Sequence, residues 1–465
     1  MTANIFQVIS PVDGSIYLER QYASGRQVAQ ALESAKTAQQ AWQKISIAER
    51  AEICSRAIDI FQQQKARHAG ELARQMGRPV RYGAGEVSGV VERASYMIDI
   101  APDALADIHI KDNLAGERYI KRLPVGVVLT IAPWNYPYLT AINSVVPALM
   151  TGNAVILKHS SQTPLCSERL AESFREAGLP EGVFQALHIT HEDTATAIRS
   201  GKINHVAFTG SVPAGARIEE SIAGQFIGSG LELGGKDPAY VRTDANLPNA
   251  IESLVDGAFF NSGQSCCGIE RIYVHRSVYK DFIEAFVDMT RQYILGNPLE
   301  QDTTLGPLVN IKAAEFVRGQ IAEAVAQGAK ALIDPSLFAM DQPGSNYLAP
   351  QVLVDVDHSM RVMTEESFGP VIGIMAVDSD DEAIDLMNDS EFGLTASVWT
   401  GDMAAATAIG ARVQTGTFFA NRCDYLDPAL AWTGIKNSGR GCTLSKVGYE
   451  ALTRPKSFHL RVLDK

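Results

Sequence analysis

From Val125 onward, short apolar runs alternate with stretches of helical periodicity, and this alternation restricts the fold more than any other feature of the chain. Residues 127–132, 154–157, 205–208 and 238–241 read as buried strands, with helices expected between them at 138–150, 167–177 and 214–223. Such alternation predicts an α/β fold around a parallel, doubly wound sheet, with ligands beyond the carboxyl ends of the strands. A second alternating block follows. It has a strand at 271–275 and helices at 279–293, 311–327, 381–387 and 403–411, and Gly328 stands where a helix-terminating glycine belongs. The boundary between the blocks is expected between Gly234 and Gly263. The first hundred residues read as helical. Val28, Leu32, Ala35, Ala38 and Trp42 recur at helical spacing, and further helices are expected over about 47–76 and 86–99.

The chain has 465 residues, room for about three domains of about 150 residues each. Its hydrophobic content of 46% suffices for a large core, and its formal net charge of −12 argues against a nucleic-acid partner. No stretch approaches the roughly 18 apolar residues that span a bilayer, and the first residues lack a basic, then apolar, leader. No membrane association or secretion is therefore expected. The cysteines (Cys54, Cys166, Cys266, Cys267, Cys423 and Cys442) form no C-x-x-C pair and accompany no histidine cluster, which argues against a metal site. They read as free thiols in a reducing cytoplasm.

Four segments carry chemistry. Glu232-Leu-Gly-Gly-Lys236 supplies a carboxylate before two glycines, and Gly263-Gln-Ser-Cys266 supplies a thiol after a turn. Together they fit a nucleophile with a separate base, as covalent acyl chemistry requires. Glu232 also reads as a solvated loop carboxylate. Cys266 is followed by Cys267, one of the two is expected only to pack, and spacing does not choose between them. Pro133-Trp-Asn-Tyr-Pro137 fixes a rigid loop after a strand. Asn135 there suits an oxyanion donor, or equally a turn amide bonded to its own backbone. Phe208-Thr-Gly-Ser-Val-Pro-Ala-Gly215 ends a strand and opens a helix, with Ser211 as a plausible N-cap and Pro213 in the first turn. Its helix N-terminus suits a phosphate, although the spacing is neither G-x-G-x-x-G nor a P-loop and a plain strand–turn–helix fits as well.

Taken in order, these segments together with Lys158, Glu366-Ser-Phe-Gly-Pro370 and Gly434-Ile-Lys-Asn-Ser-Gly439 resemble the motifs of the aldehyde dehydrogenase superfamily along nearly the whole chain. The resemblance implies two doubly wound Rossmann-like α/β domains and a small β bridging domain. Residues 1–104 and 125–234 would bind the cofactor, 235–440 would form the catalytic domain, and 105–124 with 441–465 would form the bridging segment. It selects Cys266 as nucleophile, Glu232 as general base, and Asn135 with the Cys266 N–H as oxyanion hole. Lys158 and Glu366 would bind the two cofactor riboses, Phe368 would pack near the nicotinamide, Ser211 would meet the pyrophosphate and Trp134 would line the cleft. Gly210, Ala214, Leu233 and Gly234 complete the cofactor set.

The activity implied is oxidation of an aldehyde to a carboxylic acid with NAD or NADP and no metal, through a thiohemiacetal and a thioester on Cys266. Glu232 favours hydrolysis over transfer to coenzyme A. Many NAD-preferring relatives carry a glutamate where this chain has Ser161, so NADP is expected to be accepted. Tyr136, Asn143, Ser265, Cys267 and Trp432 are expected in the substrate pocket. Asn143 stands where some succinate-semialdehyde enzymes place an arginine. Its neutrality, with Tyr136 and Trp432, favours a medium-chain aliphatic or aromatic aldehyde, although Arg422 leaves a succinate-semialdehyde type open. A thiol esterase that needs no nicotinamide is the rival class. Residues 118–123 and 456–462 match the bridging strands of a homodimer or homotetramer.

Overall fold

A computed structural model describes residues 4–111 and 116–462. The first three residues, where a leader would begin, lie outside the described residues, as do 112–115 and 463–465 within the anticipated bridging segments.

The alternation builds two separate sheets. In the first, Val127–Ala132 lies at the centre. Ala154–His159 and Phe184–Ala186 extend it to one side, and His205–Thr209 and Gly228–Glu232 extend it to the other, all parallel. The chain thus reverses its direction of winding beside Val127–Ala132. This is the topological switch where doubly wound sheets open a crevice. Every residue of Val127–Ala132 and of Ala154–His159 is buried, because helices cover both faces. Val127, Leu129 and Ile131 join one core with Val28, Leu32 and Phe208, whereas Val128 and Ala132 join another with Trp42, Phe61 and Tyr138. The period of two along one strand therefore feeds two cores at once.

The second sheet runs Lys330–Ala331, Gln351–Val354, Val371–Val377, Ile269–His275, Asp237–Val241, Thr395–Trp399 and Thr417–Ala420, parallel except for the first. Only Leu233-Gly-Gly-Lys236 separates Gly228–Glu232 of the first sheet from Asp237–Val241, an inner strand of the second. The short Gly439–Arg440 strand returns from the far end of the chain to pair antiparallel with Gly228–Glu232. A third, antiparallel sheet joins Ile108–His109, Glu117–Pro124 and Thr453–Leu460. Tyr119 stacks on Phe458 there at 4.6 Å, and most of Thr453–Leu460 is exposed. These elements are the two doubly wound α/β units and the small β unit that the sequence predicts.

Three readings need correction. The N-terminal hundred residues are not all helical. Ile5–Ile9 and Ile16–Gln21 form a hairpin whose alternation, with Phe6 and Val8 buried, is a strand signal too short to stand out beside the long helices. The stretch 47–76 is two helices, Ile47–Gln63 and Lys65–Met76, because Gln64 leaves helical geometry with ψ at 17°. The third helix begins at Val80 rather than near 86 and runs to Ala104, its start masked by Gly83 and Gly85.

Candidate active site

A buried ion pair sets the Pro133–Pro137 loop. Arg78 and Glu86 meet through a short charge-assisted contact, both fully enclosed. Glu86 Oε1 accepts the Tyr138 N–H at 2.9 Å and the Leu139 N–H at 3.3 Å, capping the Pro137–Thr151 helix with negative charge. Arg78 Nη2 donates to the Asn135 carbonyl at 2.6 Å and its Nε donates to Asn261 Oδ1 at 3.1 Å. The Asn135 side chain, 4% exposed, donates from Nδ2 to the Gln264 carbonyl at 3.1 Å. Asn135 is therefore not bonded to its own turn. It reaches the loop that carries the cysteine, and its second N–H remains available.

That loop is held under strain. Asn261 and Ser262 adopt left-handed φ of 54° and 57° just before Gly263 at 69°, a conformation that costs about 1 kcal/mol or more for each side-chain-bearing residue. The Gln264 side chain offsets this, accepting the Val309 N–H at 2.9 Å and donating to the Asn261 carbonyl at 3.1 Å. Gly235 then explains the glycines of the other motif. A Cβ there would lie 2.2 Å from the Cys266 carbonyl oxygen, and a Cβ at Gly234 would lie 2.5 Å from Glu366 Oε1. The two motifs are in direct backbone contact.

Glu232 ends its strand with both oxygens engaged. Thr443 donates to Oε1 at 2.5 Å and Thr209 donates to Oε2 at 3.1 Å. Burial pushes its pKa above the ordinary carboxylate value, opposed by the two hydroxyls and by the charge of Arg93. Glu232 and Cys266 line one cavity of about 610 Å³, shared with Tyr136, Asn143, Ser265, Cys267 and Trp432, the whole of the expected substrate set. Cys266 is half-buried, whereas Cys267 is 4% exposed and its thiol donates to Asp424 Oδ1 at 2.9 Å. The pKa of Cys267 is raised, first by its contact with the Cys266 thiol, then by burial and by Asp424. Burial pushes Asp424 itself up to about 7. Behind Glu232 lies a second cavity of about 30 Å³, lined by Thr140, Ser144, Thr209, His205 and Thr443, with room for about two waters.

The cofactor candidates line up along the carboxyl edge of the first sheet. Lys158 is in register with Ile131, which pairs in turn with Phe208, two residues before Gly210. The Gly210 N–H donates to the Glu232 carbonyl at 3.0 Å. Ser211 occupies the N-cap of Val212–Ile222, but its hydroxyl makes no capping bond, so the expected cap interaction is absent from this helix end. Gly215, one turn in, packs against Leu233, and Ala214 precedes it half-buried. Across the crevice, Trp134 meets Phe368 edge to face at 5.7 Å, and Glu366 accepts the Gly235 N–H at 3.0 Å. Phe368 sits at a left-handed φ of 52°, held there because Glu270 accepts the N–H groups of Ser367 and Phe368 while Lys236 Nζ donates to Glu270 at 2.5 Å. Lys158 is 7% exposed and has no ion pair or hydrogen bond among the described residues, and burial lowers its pKa to about 8. Ser161 is exposed on the turn after the Ala154–His159 strand, and no hydrogen bond ties Lys158 or Ser161 to the other candidates. A buried ammonium without a partner, a half-buried carboxylate pushed up to about 7 at Glu366, and an uncapped helix N-terminus are groups that a ribose–pyrophosphate ligand would satisfy.

The sequence profile of the aldehyde dehydrogenase family matches residues 1–458. The chain belongs to the aldehyde dehydrogenase family. It is 31% identical over 454 residues to the D-glyceraldehyde dehydrogenase (NADP(+)) of Thermoplasma acidophilum, covering 97% of this chain and 92% of that protein. It is 32% identical over 444 residues to the succinate semialdehyde dehydrogenase [NAD(P)+] of Escherichia coli, covering 95% and 94%. Among solved structures, the NADP-dependent glyceraldehyde-3-phosphate dehydrogenase of Bacillus halodurans, complexed with NADP, superposes with a TM-score of 0.92 at 32% identity, covering 98% of this chain and 95% of that one.

Several residues of this family member escaped the sequence reading. Arg93 lines the cavity and donates from Nη1 to Asn143 Oδ1 at 3.2 Å. Thr209, Thr443 and Asp424 surround the reactive pair, and Arg78, Glu86, Lys236 and Glu270 shape the loops. Arg78 and Glu86 lie eight residues apart in a stretch read only as helix, so nothing local marks them. Lys236 closes the Glu232 motif and Thr209 lies within the Phe208–Gly215 segment, so these two stood inside segments already singled out. Arg422, unlike Tyr425, is not among the residues that line the cavity. It is exposed, with its guanidinium 3.5 Å from the ring centroid of Tyr425.

Proposed function

We propose that this chain oxidises an aldehyde to a carboxylic acid with NAD(P)+ as acceptor. One observation carries the reading: an accessible thiol and a buried, hydroxyl-bonded carboxylate line the same cavity and belong to motifs in backbone contact. Cys266 attacks the aldehyde carbon, and the free Asn135 N–H and the Cys266 N–H hold the oxyanion. Lys158 and Glu366 would hold the riboses, Ser211 and the Val212–Ile222 N-terminus the pyrophosphate, and Trp134 with Phe368 the ring end, with Gly210, Ala214, Leu233 and Gly234 as walls. When bound, the nicotinamide supplies the hydride acceptor. Glu232 then draws a proton from the water that hydrolyses the thioester, and its raised pKa brings it closer to the operating range of a general base.

NADP is accepted in this reading. Ser161 places no carboxylate near a 2′-phosphate, and Arg217 and Lys158 both lie close enough to His191 to keep its imidazole neutral. The His191 pKa is lowered chiefly by Lys158, then by burial and Arg217. Kinetics showing NAD preferred by about a hundredfold, about 2.7 kcal/mol, would overturn this. The residue divisions 1–104 with 125–234, 235–440, and 105–124 with 441–465 serve as cofactor, catalytic and bridging units. The exposed third sheet joins copies in a homodimer or homotetramer, which size-exclusion chromatography with light scattering checks.

Cys266→Ala is expected to lower turnover by about four orders of magnitude or more, whereas Glu232→Gln retains a burst of reduced cofactor and then turns over about 10²–10⁴-fold more slowly. Undiminished steady-state activity in either variant rejects the assignment. Tyr82, Tyr136, Phe260 and Trp432 on the cavity wall support an extended carbon chain, as in a medium-chain or aromatic aldehyde. Arg93 on the same wall favours the second reading, an aldehyde that also carries an anion.

A further inference from the structure

We propose that Arg93, oriented by Asn143, is the specificity-determining residue of this cavity and binds the distal carboxylate of an ω-oxo acid whose aldehyde end meets Cys266. The proposal rests on the dehydrogenase reading above and names its substrate class.

Arg93 lies on the Val80–Ala104 helix one turn beyond Gly89, and Glu86, Gly89 and Arg93 share a face. At Gly89 this helix approaches the Pro137–Thr151 helix so closely that a Cβ would meet Leu139 Cδ2 at 2.9 Å. One turn farther on, that proximity brings the guanidinium to Asn143 on the neighbouring helix, at 3.2 Å. With its Oδ1 turned to Arg93, Asn143 keeps a buried Nδ2 that has no hydrogen-bond partner. Arg93 uses one of its five N–H donors in this contact and has no ion pair among the described residues. Unused donors and no acceptor thus converge on one wall of the cavity that holds Cys266 and Glu232.

No fixed acid completes the pair. Glu86 is committed to Arg78 and to the Tyr138 N–H. Glu92 accepts the Tyr425 hydroxyl at 2.7 Å, Asp424 accepts the Cys267 thiol, and Glu232 holds Thr443 and Thr209. The other cavity cations are placed differently. Arg78 is spent on Glu86 and lies 4.4 Å from the Tyr136 ring centroid, and Arg81 is exposed beside Tyr82. Glu232 and Asp424 feel the Arg93 charge only at a distance. A largely enclosed guanidinium without a contact ion pair is unfavourable, and a carboxylate can satisfy its planar fork with two parallel hydrogen bonds. A trimethylammonium aldehyde would repel it, and an unsubstituted alkyl chain would desolvate it without compensation.

The test compares initial rates of the purified enzyme on ω-oxo acids of three to six carbons, n-alkanals of matched length, D-glyceraldehyde and betaine aldehyde. It is paired with calorimetric titration by succinate and glutarate, which cannot react. The wild type is expected to favour its best ω-oxo acid over the matched alkanal by about a hundredfold in kcat/KM, mostly through KM. Arg93→Met should bring that ratio toward one and abolish dicarboxylate binding, and Arg93→Lys should restore part of both. Asn143→Asp supplies a resident counter-ion from the neighbouring helix and should erase the preference even where Arg93→Met folds poorly. Equal efficiency on oxo acids and alkanals, a glyceraldehyde rate above both, or an unchanged ratio in Arg93→Met and Asn143→Asp overturns the assignment. If no aldehyde reduces either cofactor while glutarate still binds through Arg93, the dehydrogenase reading fails and the anion site stands.

Discussion

The supporting layer behind the loops and the walls of the crevice treat buried charge in opposite ways. Behind the loops, Lys236 is 1% exposed and fully partnered by Glu270 and Ser367, and Arg78 is partnered by Glu86, Asn261 and the Asn135 carbonyl. On the walls, among the described residues, Lys158 has no partner and Arg93 has a single amide. The paired charges are scaffold, since removing one member strands the other in a low-dielectric interior. The unpaired charges are tolerated rather than stabilising, and such groups mark where a ligand supplies the missing charge. The difference separates scaffold cations from those proposed to meet a ligand without reference to their position in the sequence.

The sharpest way to break this distinction is Lys236→Met. It leaves the Glu270 carboxylate buried opposite Lys236 with only the Ser367 and Phe368 N–H groups, and is expected to cost about 3–5 kcal/mol. Thermal or urea unfolding should register the loss in full. The double variant with Glu270→Leu should recover much of it, because both charges are then gone. A melting curve unchanged in the single variant would mean that the pair is not scaffold, and the contrast with Lys158 would collapse.

Most of the fold was legible because the doubly wound sheets are built from runs of buried residues at helix-separated intervals, as in 127–132 and 205–208 of the first sheet. The Ile5–Ile9 hairpin was not, because five alternating residues carry little signal beside an eighteen-residue helix. The proposed nucleophile and base announced themselves through glycines, and packing explains why: Gly235 touches the Cys266 carbonyl and Gly234 touches Glu366, so those positions admit no side chain. Arg93 gave no such signal. A single arginine on a helix reads as a solvated face, and only the neighbouring helix at Asn143 shows that it points inward. The contacts of Thr209 and Thr443 with Glu232 were equally silent, although Thr209 lies in a quoted motif, since both are distant from Glu232 along the chain and meet it only through the pairing of Gly228–Glu232 with His205–Thr209 and Gly439–Arg440.

Lys158→Met probes the other side of the comparison and should have the opposite sign in stability. The amine's pKa falls from the ordinary 10.5 to about 8 on folding. Below about pH 8 both states are protonated and the burial penalty is present in full. Between 8 and 10.5 only the unfolded state still binds the proton, so stability rises with pH, and above 10.5 the penalty is gone. At pH 7 the substitution is therefore expected to raise stability by up to about 3 kcal/mol while weakening cofactor binding. In the wild type, KM for NADP should rise as pH passes 8 and the ammonium is lost, more than KM for NAD, and the variant should show no such difference. A variant that is destabilised, or that binds cofactor normally, would place Lys158 among the scaffold cations.

The smallest effect separates the two hydroxyls on Glu232. Both stabilise the carboxylate against burial, but Thr443 donates at 2.5 Å and Thr209 at 3.1 Å. Removing a hydrogen bond to the charged form raises an acid's pKa, so Thr443→Val should carry the acidic limb of steady-state turnover upward by about one pH unit, the equivalent of about 1.4 kcal/mol. Thr209→Val should shift it less. The burst of reduced cofactor should keep its amplitude in both variants, because the hydroxyls act through the base that serves hydrolysis and not through Cys266. A burst lost along with turnover would instead mean that these threonines support the nucleophile's side of the cavity, and Glu232 would then need a different account.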